Sequence, residues 1–255
     1  RAKTGHDFRL YKPGTLRRRI ERRMAMVPIE SGGMDRYLAL LQSDSRELEF
    51  LAKDLLIHVT SFFRDPKVFD VLARKIIPDL VQRHSSEQPL RIWIAGCSTG
   101  EETYSLVMLF QEQIEAANRR IRLQVFASDV DAGAVATARE GVYPESIKAE
   151  VSPKRLARFF TKEDHGYRVS PDMRASVVFT EQDLLADPPF SRLDMVSCRN
   201  LLIYLQPEAQ AKVISLFHFA LREATRQRAL EEPLALGRHL FGLLLAHRAP
   251  QDVRV

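Results

Sequence analysis

The chain has 255 residues, 45% hydrophobic and 28% charged, a globular composition sufficient for one large domain or a small one plus a medium one. Its formal charge of +5 is local: residues 1–23 hold nine Lys/Arg against two Asp/Glu, an excess of +7 that leaves −2 for the rest, which argues against a surface built throughout for nucleic acid. No apolar run reaches the length of a membrane span; the nearest is LFGLLLA at 240–246, between Arg238 and Arg248.

From Pro13 to about Arg83 the pattern is helical and broken into short pieces, a small all-α N-terminal unit expected over 1–84. In KPGTLRRRIERRM, Pro13 opens a helix with Leu16, Ile20 and Met24 on one face and Arg17, Arg18, Arg22 and Arg23 on the others. A second piece follows Gly32 and Gly33 with Tyr37, Leu38 and Leu41 as its apolar stripe. A third starts at Ser45, a weak cap, and runs through Leu48, Leu51, Leu55 and Leu56. A fourth enters at Asp65-Pro66 and carries Val68, Phe69, Leu72 and Ile76. RHSSEQP at 83–89 reads as a linker.

Over 85–255 the period changes. LRIWIAG (90–96), IRLQVFASD (121–129) and LDMVSC (193–198) read as strands. Helices are expected from Glu101 to about Ala117 and over 132–139, which implies an α/β unit with a parallel, doubly wound sheet. Between 141 and 181 the rhythm breaks: SPKRLARFF suggests a short helix, and GYRVS and SVVFT two short strands, read together as a small β-subdomain inserted on the main sheet.

Ligands of such sheets bind beyond the carboxyl ends of the strands. AGCSTGEE lies there, with Gly96 and Gly100 allowing a tight turn and close approach. Alone it is either a plain strand-to-helix turn or a cofactor loop. The spacing is not G-x-G-x-x-G, and Glu101 and Glu102 would repel a pyrophosphate while complementing the helix dipole. A phosphate-free cofactor with a cationic amino-acid part, such as S-adenosylmethionine, fits better. In FASDVD, Asp129 is placed for ribose hydroxyls and Asp131 for capping the next helix. Asp183 stands near a further strand end, in reach of an adenine edge. HVTSFFRDP and CRNLLIYL are further polar-aromatic clusters. Cys97 and Cys198 have no metal-ligand company, so no metal site is expected and both read as free thiols of a reducing, cytoplasmic compartment.

TSFFRDP, AGCSTGEETYS, FASDVD and CRNLLIY, in this order and spacing, resemble the chemotaxis receptor methyltransferases of the CheR type over about residues 8–222. GHDFRLYKPGTLRRRIERRM resembles the variant fused behind a methylesterase domain, in keeping with a chain that begins at Arg1. The resemblance implies a Rossmann-like S-adenosylmethionine-dependent methyltransferase sheet with a β-subdomain insertion, behind a small all-α domain. It implies methyl transfer to glutamate side chains on the cytoplasmic helices of chemoreceptors, with S-adenosylhomocysteine as product, and no nucleic-acid partner or membrane insertion.

By resemblance, Thr60 and Arg64 reach the cofactor, Gly96 belongs to its loop, and Glu102 and Asp129 hold its amino-acid and ribose parts. Asp183 lies near the adenine, Asn200 and Leu201 line the pocket, and Arg64 and Tyr204 flank the methyl-transfer point. His58 and Asp183 replace asparagines of better-known members. Arg17, Arg18 and Arg22 form either a solvated face, a docking surface for an acidic receptor bundle, or a nucleic-acid face without supporting motif. The short connection in TKEDHGYR argues against a tether for a receptor tail. Residues 223–255 depart from the family: the Gly-Gly turn and alternating strand are missing, EATRQRALEE looks helical, and LALGRHLFGLLLA reads as a helix or one strand. A catalytically weakened signalling module of a fused regulator is therefore the alternative, and a nucleotide-type oxidoreductase is disfavoured by the missing phosphate fingerprint.

Overall fold

The structure, a computed structural model, describes residues 6–27, 33–221 and 242–246. Four helical stretches come first. These are α1 (Pro13–Met24), α2 (Gly33–Ser43), α3 (Ser45–Leu55), and a long helix made of α4 (Pro66–Val71), a π turn at Leu72–Ile76 and α5 (Ile77–Arg83). The π turn has a covalent cause. Pro78 has no N–H to give, and the Ile77 N–H reaches back five residues to the Leu72 carbonyl instead of four. Leu16, Ile20 and Met24 of α1 pack on a small core of Tyr37, Leu51 and Leu55, as their spacing requires. Two local expectations change. Leu38 faces solvent, 54% exposed, while Leu40 and Leu41 take the inner stripe. The cap of α3 is Asp44, whose carboxylate accepts from the Arg46 and Glu47 N–H groups, rather than Ser45. Inside this unit Arg23 forks onto Glu47 at 2.8 and 2.7 Å, and the Tyr37 hydroxyl donates to the same carboxylate at 2.9 Å.

The second unit is built on β1 (Leu90–Ala95), α6 (Glu101–Ala116), β2 (Leu123–Asp129) and α7 (Ala132–Glu140). There follow β3 (Val142–Pro144), α8 (Pro153–Phe159), β4 (Phe160–Glu163), β5 (Gly166–Val169), α9 (Pro171–Ala175), β6 (Val177–Glu181), β7 (Met195–Arg199), α10 (Pro207–Ala220) and β8 (Gly242–Ala246). The main sheet has the order β6-β2-β1-β7-β8, parallel except for β8, which runs antiparallel to β7. Strand β1 is buried on both faces. Leu90, Ile92 and Ile94 enter the core shared with α6 and the inserted sheet, while Trp93 and Ala95 enter the core under α10. That two-sided burial is why the strand reads as an unbroken apolar run.

The inserted sheet is β3-β5-β4, antiparallel. SVVFT does not belong to it: β6 pairs with β2 along Val125–Asp129, because its residues continue the parallel sheet directly after α9. LALGRHLFGLLLA contributes one strand, β8; the helix expected at EATRQRALEE lies outside the described residues. Among the described residues no helix is long and apolar enough to cross a membrane, and no cluster of potential metal ligands occurs.

The segment before α1 packs on the main sheet's α10 side. Tyr11 makes a bridge to Leu205, the Lys12 N–H donates to the Tyr204 carbonyl at 2.8 Å, and the Gln206 N–H donates to the Leu10 carbonyl at 2.9 Å.

Candidate active site

A sheet whose order runs 2-1-7 reverses direction at β1, and the crevice opens beyond the carboxyl ends of β1, β2 and β7. An open cleft lies there, lined by Thr60, Arg64, Gly96, Glu102, Asp129, Asn200, Leu201 and Tyr204 among others. It adjoins a second hollow that shares Tyr11, Gly96, Asp129, Val130 and Leu201 and adds Asp183. The cofactor and reaction residues named from the sequence thus line the cleft, except Asp183, which lines the adjoining hollow. Arg17, Arg18 and Arg22 do not; they sit exposed on α1.

Gly96 has φ +76°, and a Cβ there would lie 3.1 Å from Leu201 Cδ2, so the bare backbone keeps the floor open. Ser98 follows at φ 48°, and its N–H donates to Asp129 Oδ2 at 2.8 Å. The Asp131 N–H donates to Asp129 Oδ1 at 3.0 Å, so both carboxylate oxygens are oriented by backbone and keep lone pairs for a ligand. Asp131 is the cap of α7, accepting from Gly133 and Ala134. His58 Nδ1 is 3.3 Å from Ser98 Oγ, and its Nε2 is 2.9 Å from Asp131 Oδ2, within ion-pair distance but not at hydrogen-bond geometry.

Glu102 sits at the first turn of α6, deep in the cleft. Burial raises its pKa, against the opposing pull of Arg199 and the Ser197 hydroxyl, which donates at 2.6 Å. Arg199, 7% exposed, reaches Glu102 at 3.3 Å through Nη1, and through Nη2 donates to the Arg64 carbonyl at 2.7 Å and Asp65 Oδ2 at 2.8 Å. It therefore ties the 56–65 loop to the sheet. That loop holds Phe63 and Asp65 at φ 52° and 61°, and Asn200 has φ 59°. Bulky residues in left-handed backbone persist only where the surroundings fix them, and such strain gathers at binding sites. Phe62 is core, and one of the five N–H donors of Arg64 is given to the Val59 carbonyl.

Sequence reading missed Arg199, Ser197 and Ser98. The signal was there for the first: a buried Glu102 needs a cation, and Arg199 is the charged residue next to the strand end. The two thiols are buried and free. Burial, with Asp129 and Glu102 behind it, pushes the Cys97 pKa well up, so it fills space as a neutral thiol.

Comparison with known proteins decides the family. The CheR methyltransferase SAM-binding domain matches residues 58–226, and the CheR methyltransferase all-alpha domain matches residues 1–56.

The chain belongs to the CheR methyltransferase family.

It is 46% identical over 216 residues to an uncharacterized 104.1 kDa protein of Rhodobacter capsulatus, covering 85% of this chain and 22% of that one. It thus spans about a fifth of that relative's length. It is 32% identical over 202 residues to chemotaxis protein methyltransferase 2 of Pseudomonas aeruginosa, covering 77% of this chain and 69% of the relative. It is also 29% identical over 218 residues to a chemotaxis protein methyltransferase of Listeria monocytogenes, covering 86% and 80%. The fold is accordingly a small all-α unit followed by a Rossmann-like methyltransferase sheet, and the cofactor is S-adenosylmethionine. The residues present fit that group: Asp129 at the end of β2 is an oriented carboxylate for ribose hydroxyls, and the buried Glu102 in the first turn of α6 is a carboxylate for an ammonium.

Proposed function

We propose that this CheR-family chain transfers a methyl group to glutamate side chains of chemoreceptor cytoplasmic helices, giving γ-glutamyl methyl esters. The cofactor supplies a methyl bound to a sulfonium, and the protein's task is to bind, align and keep water out. Asp129, fixed by the Ser98 and Asp131 N–H groups, accepts from the ribose hydroxyls. Glu102, charge-balanced by Arg199, takes the ammonium of the amino-acid part. Thr60, Asn200 and Leu201 wall the pocket, and Gly96 allows its floor to approach the ligand.

The acceptor carboxylate is already deprotonated at neutral pH, so no general base is required. Catalysis then comes from in-line positioning and water exclusion. Arg64 holds the acceptor carboxylate with paired donors and Tyr204 adds a hydroxyl donor.

The observation that carries the reading is the convergence of Arg64 and Tyr204 with Glu102 and Asp129 on one cleft. The experiment is labelled methyl transfer from S-adenosylmethionine to a receptor cytoplasmic fragment, with base-released methanol counted. Base-labile label on glutamate supports the reading. Tight S-adenosylhomocysteine binding with no transfer to any receptor fragment would sink it.

A further inference from the structure

One pair at the far end of the cleft is explained by neither the motifs nor the reaction. His6 stands before α1 and is 7% exposed. Its Nδ1 lies 2.7 Å from Asp183 Oδ2, across 177 residues of chain, and its Nε2 lies 3.1 Å from the Tyr11 hydroxyl. The strap that carries it is pinned to the rim of the cleft by backbone bonds between Lys12 and Tyr204 and between Gln206 and Leu10. The Gln206 amide also donates to the carbonyls of Arg9 and Tyr11 at 2.8 and 3.1 Å.

The partners fix the direction of these bonds. An ionised carboxylate only accepts, so Nδ1 carries the proton and donates to Asp183. In a neutral imidazole Nε2 then accepts from Tyr11. Burial, with Asp183 and Asp129 adding to it, raises the Tyr11 pKa, so the phenol keeps the proton it gives. The other Asp183 oxygen accepts from the Leu185 N–H at 2.9 Å. Both oxygens are thus oriented, one by His6 and one by the Leu185 N–H. Around them Val130, Leu184, Leu201 and Leu205 make an apolar slot for a flat base, whose polar edge few groups can meet. A carboxylate offers only acceptors there. It welcomes an exocyclic amino group and opposes a carbonyl at the same ring position.

We propose that His6 is a positioning residue of the cofactor pocket: backed by Tyr11, it holds Asp183 in the orientation that accepts from the exocyclic amino group of the adenine, so that the strap sets both affinity and base selectivity. This rests on the cofactor assignment above.

The test is calorimetry of S-adenosylhomocysteine and its deaminated analogue S-inosylhomocysteine with the whole chain as wild type, His6→Ala, His6→Asn, Asp183→Ala and the double variant His6→Ala/Asp183→Ala. His6→Ala is expected to weaken S-adenosylhomocysteine about tenfold and to narrow its preference over the analogue. His6→Asn, whose amide nitrogen can replace Nδ1, should recover most of both. In the Asp183→Ala background, His6→Ala should cost at most about twofold, because the bond it removes is already gone. Wild-type affinity in His6→Ala overturns the proposal. So does an equal loss in both backgrounds, or a lowered Tm with the ratio of the two ligands unchanged, since each marks a merely structural histidine. A folded wild type that binds neither ligand overturns the cofactor assignment along with it.

Discussion

The roles proposed for Arg64, Tyr204 and Glu102 differ, and single substitutions can tell them apart. In the proposed reaction Arg64→Ala and Tyr204→Phe remove donors to the acceptor carboxylate. Each should lower methyl transfer by on the order of 100-fold, more than it weakens S-adenosylhomocysteine binding; unchanged turnover in both removes their assigned roles. Glu102 gives a pH signature. Its folded pKa is raised by burial, so between the ordinary carboxylate value and that raised value the folded chain holds a proton that the unfolded chain has released. Stability therefore falls as pH rises through this window, and the cost of burying the charge is fully present above it. A cationic ammonium favours the charged form, so in the same window ligand uptake expels the proton and affinity drops as pH is lowered. Calorimetry at mildly acidic pH in buffers of different ionisation enthalpy should register proton release in the wild type and less in Glu102→Gln. Equal release in the two would mean another group meets the ammonium.

At the level of elements, the glycine turn and the 56–65 loop are each held by something distant in sequence. Gly100 has φ +95°, and an added Cβ would stand 2.9 Å from both Ala138 Cβ and the Tyr143 hydroxyl. Gly100→Ala should therefore destabilise by about 1–3 kcal/mol, read as a lower midpoint in chemical denaturation. Arg199→Ala leaves the buried Glu102 without its cation, a loss of about 3–5 kcal/mol by the usual cost of breaking a buried pair. It should also speed hydrogen exchange across residues 56–65; unchanged exchange there would show that the loop is held without it. These dependencies mark how far the sequence could be read. The helices of α1 and α6 and the strands β1 and β2 declared themselves by period and by apolar runs, and each cleft motif by its place at a strand end. The pairing of β6 with β2 did not, because a four- or five-residue apolar run carries no record of which strand it joins. Nor did His6 with Asp183, a contact made only by the fold.

Across the whole molecule, the basic face of α1 stands apart from the crevice. Arg17 is exposed and pairs with Glu21 at 2.9 Å, while Arg23 is engaged by Glu47. Reversing the charges of Arg17, Arg18 and Arg22 should weaken methylation of an acidic receptor fragment, increasingly so at low salt, and leave S-adenosylhomocysteine affinity alone. A parallel loss of cofactor affinity would point to misfolding. The turn between β4 and β5 is only Asp164 and His165 long, and no binding of a receptor tail peptide is expected there; a measurable Kd would contradict this. The small sheet nonetheless has a part in the crevice. Its Tyr143 donates to the Thr99 carbonyl at 2.7 Å and packs edge-on against Phe62, while the Phe62 N–H donates to Glu150 at 2.8 Å. An engineer seeking a minimal catalyst could not prune residues 142–175 as a dispensable ornament, because the excision would take away the back wall of the glycine turn and the footing of the arginine loop in one cut.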